Sequence, residues 1–380
     1  MLDYEWRVRD LVHGTILFTI EERKFTETPL FERLRRIKQT DLSNAVCPSM
    51  NTTRYEHLLG ACHVAGRMAE QITKSIQWNE YKRQLIAAHP TFRHETEKTF
   101  VRTARFYALL HDIGHFPLSH LFEDAFKRFA LSSETTSEAL IRDWFDIEGY
   151  EKPHEAFGAF LMSRLKTHLP DQLLPPLMHL MTEKTLATLD PLIIIKKIVD
   201  SEVDADRIDY VRRDCLMAGG EYGTYDVNRL CTSVAVARLD DGSWDLAFED
   251  MAITSIESLL LDRYRIYLWF HFHHKAVMIK ACTIRVIERA LQQGLIKKGH
   301  FTGPDHLIAF RDDVWLMNVL RSVKVRDNPG FVMIRDAAVH YTRKHIASVW
   351  RRRARYARMQ YKMRSIVRGH VAIGEDDLRI

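Results

Sequence analysis

The stretch Tyr107-Ala-Leu-Leu-His111-Asp112-Ile-Gly-His115-Phe-Pro-Leu-Ser-His120-Leu-Phe-Glu123 decides how the rest of the chain is read. Its apolar run, Ala108 to Leu110, delivers His111 and Asp112 where a helix enters a core, so both side chains would be held rigidly. An imidazole and a carboxylate side by side suit a divalent cation such as Mg, Mn, Fe or Zn. Gly114 and Pro117 then interrupt the helix, which lets His115 and His120 turn toward the same space. A lone His-Asp pair is commonplace, and a capped helix end accounts for it until partner ligands appear.

With 380 residues the chain can bury a sizeable core, as one large domain or two smaller ones. Its 46% hydrophobic and 10% aromatic content is ordinary for a globular protein and argues against disorder. No apolar run reaches the roughly 20 residues of a membrane span. The N-terminus is charged at once and lacks a secretory pattern. Five cysteines at irregular spacing, without a CxxC pair, argue against structural disulfides or a thiolate zinc site and favour a reducing cytoplasm. The net charge of +5 is unevenly spread: Arg343 to Arg368 holds ten Lys or Arg and no acid. That segment suits nucleic-acid or nucleotide phosphates, or equally a solvated helix face.

Outward from the central stretch, the N-terminus carries β-like pieces around a His13-Gly14 turn. Pro29 starts an expected helix through Gln39, with Phe31, Leu34 and Ile37 on one face and arginines on the other. Arg54 to Glu70 is helical in period, residues 76–100 look like a helix pair or an insertion, and Pro153 starts an amphipathic helix carrying His154 and Glu155. One or two buried helices are expected over 172–200. From Asp204 a carboxylate-rich helix follows, on which Asp206, Tyr210 and Asp214 share one face. Val234 to Leu239 and Trp244 to Phe248 alternate across an Asp-Asp-Gly-Ser turn and make the clearest hairpin. Long helices are expected over 253–291, a less regular piece over 299–323, and two helices over 330–368. The fold class is therefore mainly α, a helical core with a minor antiparallel β-hairpin.

Arg-Tyr-Glu-His57-Leu-Leu-Gly, then His111-Asp112-Ile-Gly-His115, then Asp-Ala-Asp206-Arg-Ile-Asp-Tyr210 together resemble the H…HD…D pattern of the HD phosphohydrolase superfamily. Val12-His13-Gly14, Arg33 to Gln39, Asp209 to Asp214 and Tyr222 to Leu230 narrow the resemblance to the SAM-and-HD-domain deoxynucleoside triphosphate triphosphohydrolases and their bacterial relatives. It runs colinearly from about residue 6 to about 290, giving an HD core over 1–290 and a basic helical extension over 291–380 packed on it.

The resemblance implies one divalent metal (Mg, Mn, Fe or Zn) held by His57, His111, Asp112 and Asp206. It implies hydrolysis of a dNTP at the α-phosphorus to deoxynucleoside and inorganic triphosphate. His120 would protonate the leaving 5′ oxygen, with His115 and His154 beside it and Glu123 and Glu155 orienting the imidazoles. Arg54, Arg207 and Arg263 would clamp the triphosphate, and Gln39, Tyr210 and Asp214 would surround the sugar. The chain departs from the family pattern at Thr40, Thr52 and His271, the last where a sugar-packing tyrosine is common, so base and sugar preference are open. Arg35 is kept while Glu27 and Glu32 replace the usual residues, so a nucleotide activator at a subunit interface is a weaker implication than a homo-oligomer, dimer or tetramer. Rival readings keep the same ligands: an HD phosphodiesterase or nucleotidase acting on another nucleotide or single-stranded nucleic acid, or a non-catalytic nucleotide sensor. Pool control and antiviral defence are both biological settings consistent with dNTP hydrolysis.

Overall fold

Two antiparallel hairpins flank a helical body. The computed structural model describes residues 2–182, 189–220, 222–325 and 329–341. Strand β1 (Trp6–Asp10) pairs with β2 (Gly14–Phe18), and β3 (Val234–Arg238) pairs with β4 (Trp244–Phe248), register Val234 to Phe248. The second is the expected hairpin, closed with Gly242 at φ +85°. The first adds to it: the His13-Gly14 turn is a true hairpin, with Asp10 Oδ1 accepting from the Val12 and His13 amides at 2.8 Å.

The body is built on α1 (Arg54–Ile72), which packs along α3 (Thr96–Leu110), with α2 (Trp78–Ala88) between them in sequence. A capping box starts α1: the Glu56 amide donates to Thr53 and the Thr53 amide to the Glu56 carboxylate. Then come α4 (His120–Ser132), α5 (Pro153–Leu165), α6 (Leu174–Thr182), α7 (Ile193–Val199) and α8 (Ala205–Met217). Helix α8 is capped by Asp204, which accepts from the Arg207 amide at 2.7 Å, and lies against α1. Helices α9 (Ile253–Ile266) and α10 (His274–Gln292) are joined by a π-helical turn, Tyr267–His271. Helix α10 packs on α4, and α11 (Asp313–Arg321) and α12 (Pro329–His340) pack on α10. The basic run from Arg343 onward lies outside the described residues.

The helix expected from Pro29 to Gln39 is shorter. An α-turn covers Pro29–Glu32, a 3₁₀ turn covers Arg33–Arg36, and Lys38 then bridges to Thr53. The cause is Arg33, which is not solvated but wholly buried, donating to the His115 carbonyl (3.0 Å) and the Ile113 carbonyl (2.9 Å). Arg33 thus ties the N-terminal segment to the His-Asp turn. A second tie is Arg105 on α3, buried against Glu22 with two hydrogen bonds of 2.6 and 2.9 Å. A third comes from α11: Asp313 accepts from the Leu118 amide (2.7 Å) and the Lys38 amide (3.0 Å). Leu118 and Ser119, at φ +55° and +49°, are strained non-glycine residues just before α4. The Asp313 carboxylate pins the strained turn that aims His120.

Candidate metal centre and imidazole cluster

Helices α1, α3 and α8 bring His57, His111, Asp112 and Asp206 together, with one ligand atom from each lying within 4.8 Å of the others. His57, wholly buried, points Nδ1 at Asp209 Oδ2 (2.8 Å). Burial would neutralise Asp209, but Arg213, His13 and His57 hold its carboxyl well below the usual range. Nδ1 therefore carries a proton, and Nε2 faces Asp206 Oδ1 at 2.8 Å, where a proton or a metal ion can bridge the two. The His111 tautomer is fixed likewise: Nδ1 lies 2.8 Å from the Ala108 carbonyl, which can only accept. Its Nε2 faces Asp206 Oδ1 at 3.5 Å and Asp112 Oδ2 at 3.7 Å.

Both Nε2 atoms are buried without a hydrogen-bond partner. Two imidazole nitrogens converging on two carboxylates call for positive charge between them, a proton or a metal ion. Burial opposes charge on His57, yet Asp206 and Asp209 outweigh it and push the imidazole up to about 10. The pocket calls for positive charge, and its two nitrogens and two carboxylates suit a borderline divalent ion. These residues fit the metal that the motif implies.

A further layer holds these ligands, and the sequence reading missed it. Asp209 bridges His57 to His13 (Nε2 to Oδ1, 2.8 Å) and to Arg213 (2.7 and 2.9 Å), and Arg213 also reaches Asp10 at 2.9 Å. Gly60 leaves the room: a Cβ there would collide with the Asp209 carboxylate. Carboxylates behind ligating histidines typically set metal affinity by about 10–100-fold. Asp209→Asn should weaken metal binding by about that factor, read by competition against a chromogenic chelator. His13 and Asp209 stand inside quoted motifs, but their contact spans 196 residues.

Beside the ligands lies a second group, His115, His120, Glu123 and His154, whose spacing is also compatible with a metal. His154 Nδ1 lies 2.8 Å from Glu123 Oε2, and His120 Nδ1 lies 3.3 Å from Oε1. The His115 ring stacks on His154 at 4.4 Å and 8°, and its Nε2 lies 3.1 Å from Asp112 Oδ1, so it links the two groups. Burial and Arg54 push His115 well below its ordinary value and keep it neutral. Burial would raise Glu123, but His120 and His154 keep it ionised. Desolvation by its neighbours lowers His120, but its bond to Glu123 outweighs that and raises it, while 62% of its side chain stays open to solvent. An exposed imidazole made more basic by a buried carboxylate suits a proton donor. Glu155 does not join them. It pairs with Lys152 at 2.7 Å, so orientation falls to Glu123.

Arg54, expected to clamp phosphate, is buried and spent on Asp112 and on Ser119 (2.9 Å), so it orients a ligand. Arg207 pairs with Asp204. Arg263 donates to the Tyr210 hydroxyl at 3.0 Å, and the Tyr210 ring lies edge-on to His57 at 6.3 Å. Asp214 is buried, which pushes its carboxyl up to about 7. The Gln39 side-chain oxygen is buried without a partner. His271 ends the π turn, a feature frequent at functional sites, and burial, Lys280 and His120 push it down to about 3.

Residues 54–201 match the HD domain family model. An uncharacterized protein of Methanocaldococcus jannaschii, MJ1154, is 28% identical over 315 residues, covering 83% of this chain and 54% of that protein. A Dictyostelium discoideum protein named as a deoxynucleoside triphosphate triphosphohydrolase SAMHD1 homolog is 26% identical over 273 residues, covering 70% of this chain and 46% of that one. The chain spans about half the length of these curated relatives. The fold is shared with a crystal structure of a phosphohydrolase from Bacteroides thetaiotaomicron, at TM-score 0.63 and 23% identity over 97% of this chain and 85% of that one.

Proposed function

Taking as premise that the chain carries an HD domain, we propose that it is a metal-dependent phosphohydrolase that cleaves deoxynucleoside triphosphates to deoxynucleoside and inorganic triphosphate. The observation that carries this is the shared wall between the two groups: Asp112 belongs to the four ligands and touches His115, which stacks on the Glu123-bound His154. What a divalent cation supplies at the four ligands is Lewis acidity, which polarises a phosphoryl oxygen and makes water a better nucleophile near neutral pH.

The chain's own residues supply the rest. Asp209 and the Ala108 carbonyl fix both ligating imidazoles in the tautomer whose Nε2 is free to bind. Arg54 holds Asp112 in place. His120, whose basicity Glu123 raises, donates a proton to the departing 5′ oxygen, and Glu123 steadies the ring as it does so. Tyr210, Asp214 and Gln39, whose side-chain oxygen lacks a partner, contact the sugar, and Arg207 and Arg263 the phosphates. The likeness to the SAMHD1 homolog supports a nucleotide substrate. The apolar residues exposed along α9 and its π turn, Leu260, Leu261, Tyr264, Leu268 and Trp269, support a homo-oligomer.

His120→Asn should lower kcat by about 10²–10⁴-fold, the usual worth of a positioned general acid, with metal content unchanged. Ion-exchange separation of products from each dNTP and NTP, with Mg or Mn, tests the reading. Triphosphate plus deoxynucleoside is expected, while pyrophosphate or orthophosphate as the sole phosphate product favours a nucleotidase or phosphodiesterase.

A further inference from the structure

We infer that His89, His179 and Asp190, interleaved in sequence with the HD ligands, form a second metal site that takes zinc or a similar borderline divalent cation. It does not rest on the hydrolase reading. The three residues come from three elements: His89 caps the C-terminus of α2, His179 lies on α6, and Asp190 precedes α7. Asp190 faces one imidazole with each oxygen: Oδ1 lies 2.8 Å from His89 Nε2 and Oδ2 lies 2.8 Å from His179 Nε2. The three ligand atoms lie within 4.8 Å of one another. Small side-chain adjustments let one zinc ion meet all three at about 2.0–2.2 Å.

The carboxylate is held for this task. Its Oδ1 also accepts from the Leu192 amide at 2.9 Å, and the Tyr81 hydroxyl donates to the Pro191 carbonyl at 2.7 Å, pinning the same turn to α2. Such supporting bonds are typical behind metal ligands. The side chains are 14–27% exposed, so water can supply a fourth ligand. Two imidazoles and one carboxylate with an open position suit zinc, and thiolates are not needed. Since α6 and α7 both pack on α3, an ion here would clamp α2, α6 and α7 around the helix that ends at His111.

The test uses the full chain with the HD centre disabled by His111→Ala and Asp206→Asn. After chelator treatment it is reloaded with zinc, desalted and assayed for metal per chain. One equivalent is expected, and it should disappear when His89→Gln and His179→Gln are added. Free zinc at about 100 times the dissociation constant should raise the melting temperature by about 4 °C, and only while these residues are intact. If the added substitutions unfold the chain, Asp190→Asn, which keeps the side chain's shape, replaces them. No stoichiometric zinc on the disabled protein, or equal zinc after the His89 and His179 or Asp190 changes, overturns the assignment. The HD centre is judged separately, by the equivalent lost between the unaltered chain and the disabled one.

Discussion

The His111→Ala protein is expected to lose the metal of the HD centre and to hydrolyse nucleotide about a thousandfold more slowly, since several kcal/mol of charge stabilisation goes with the cation. His111 is the ligand least replaceable by rearrangement. Its Nδ1 is tied to the Ala108 carbonyl, and its Nε2 stands between Asp112 and Asp206. Removing the ring leaves Asp112 paired with Arg54 and Asp206 facing His57, a charge balance that a proton on His57 completes without a metal. The fold should survive, because the same substitution removes a repulsion as well as a ligand. Metal content and kcat, measured together on protein with unchanged circular dichroism, check this. Full activity would remove the four-residue centre from the account.

Gly114→Ala is expected to be as damaging by a different route. A Cβ at residue 114 would overlap the His154 carbonyl and the Gly158 amide, and would lie 2.6 Å from Gly158 Cα. All three are backbone atoms of α5, so no side-chain rotation relieves the clash, and the whole helix must move. Overpacking of this kind costs about 3 kcal/mol or more where the neighbour cannot yield. Helix α5 also carries His154, stacked on His115 at 4.4 Å and bound to Glu123 at 2.8 Å. A shift of about 1 Å there costs on the order of 100-fold in rate. Urea denaturation and kcat should both fall, and the loss should exceed that of Gly158→Ala, where a Cβ meets its nearest neighbour at 3.7 Å.

The difference between those two glycines shows what the sequence could and could not disclose. Gly114 is legible as a helix breaker, but its close approach to α5 depends on packing between segments about 40 residues apart. The four candidate metal ligands are legible because each sits in a short motif and the motifs come in a fixed order. The layer behind them is not. Asp209 reads as one acid among several on a soluble helix until His57 and His13 fold onto it. Arg33 reads as a solvated arginine by its period, and only the buried carbonyls of Ile113 and His115 explain why the helix from Pro29 tightens into a 3₁₀ turn. The resemblance puts Glu155 beside Glu123 as an orienting carboxylate, whereas Lys152 draws it aside. His89, His179 and Asp190 belong to no motif, and chain spacing alone gives no reason to group them.

Isotope tracing of the water oxygen distinguishes attack at phosphorus from attack at carbon. A dNTP that the protein turns over is hydrolysed to completion in ¹⁸O-enriched water, and both products are weighed by mass spectrometry. Attack at the α-phosphorus, with His120 protonating the 5′ oxygen, places one ¹⁸O in inorganic triphosphate and none in the deoxynucleoside. Label in the deoxynucleoside, or a phosphate product shorter than triphosphate carrying all of it, would contradict the account.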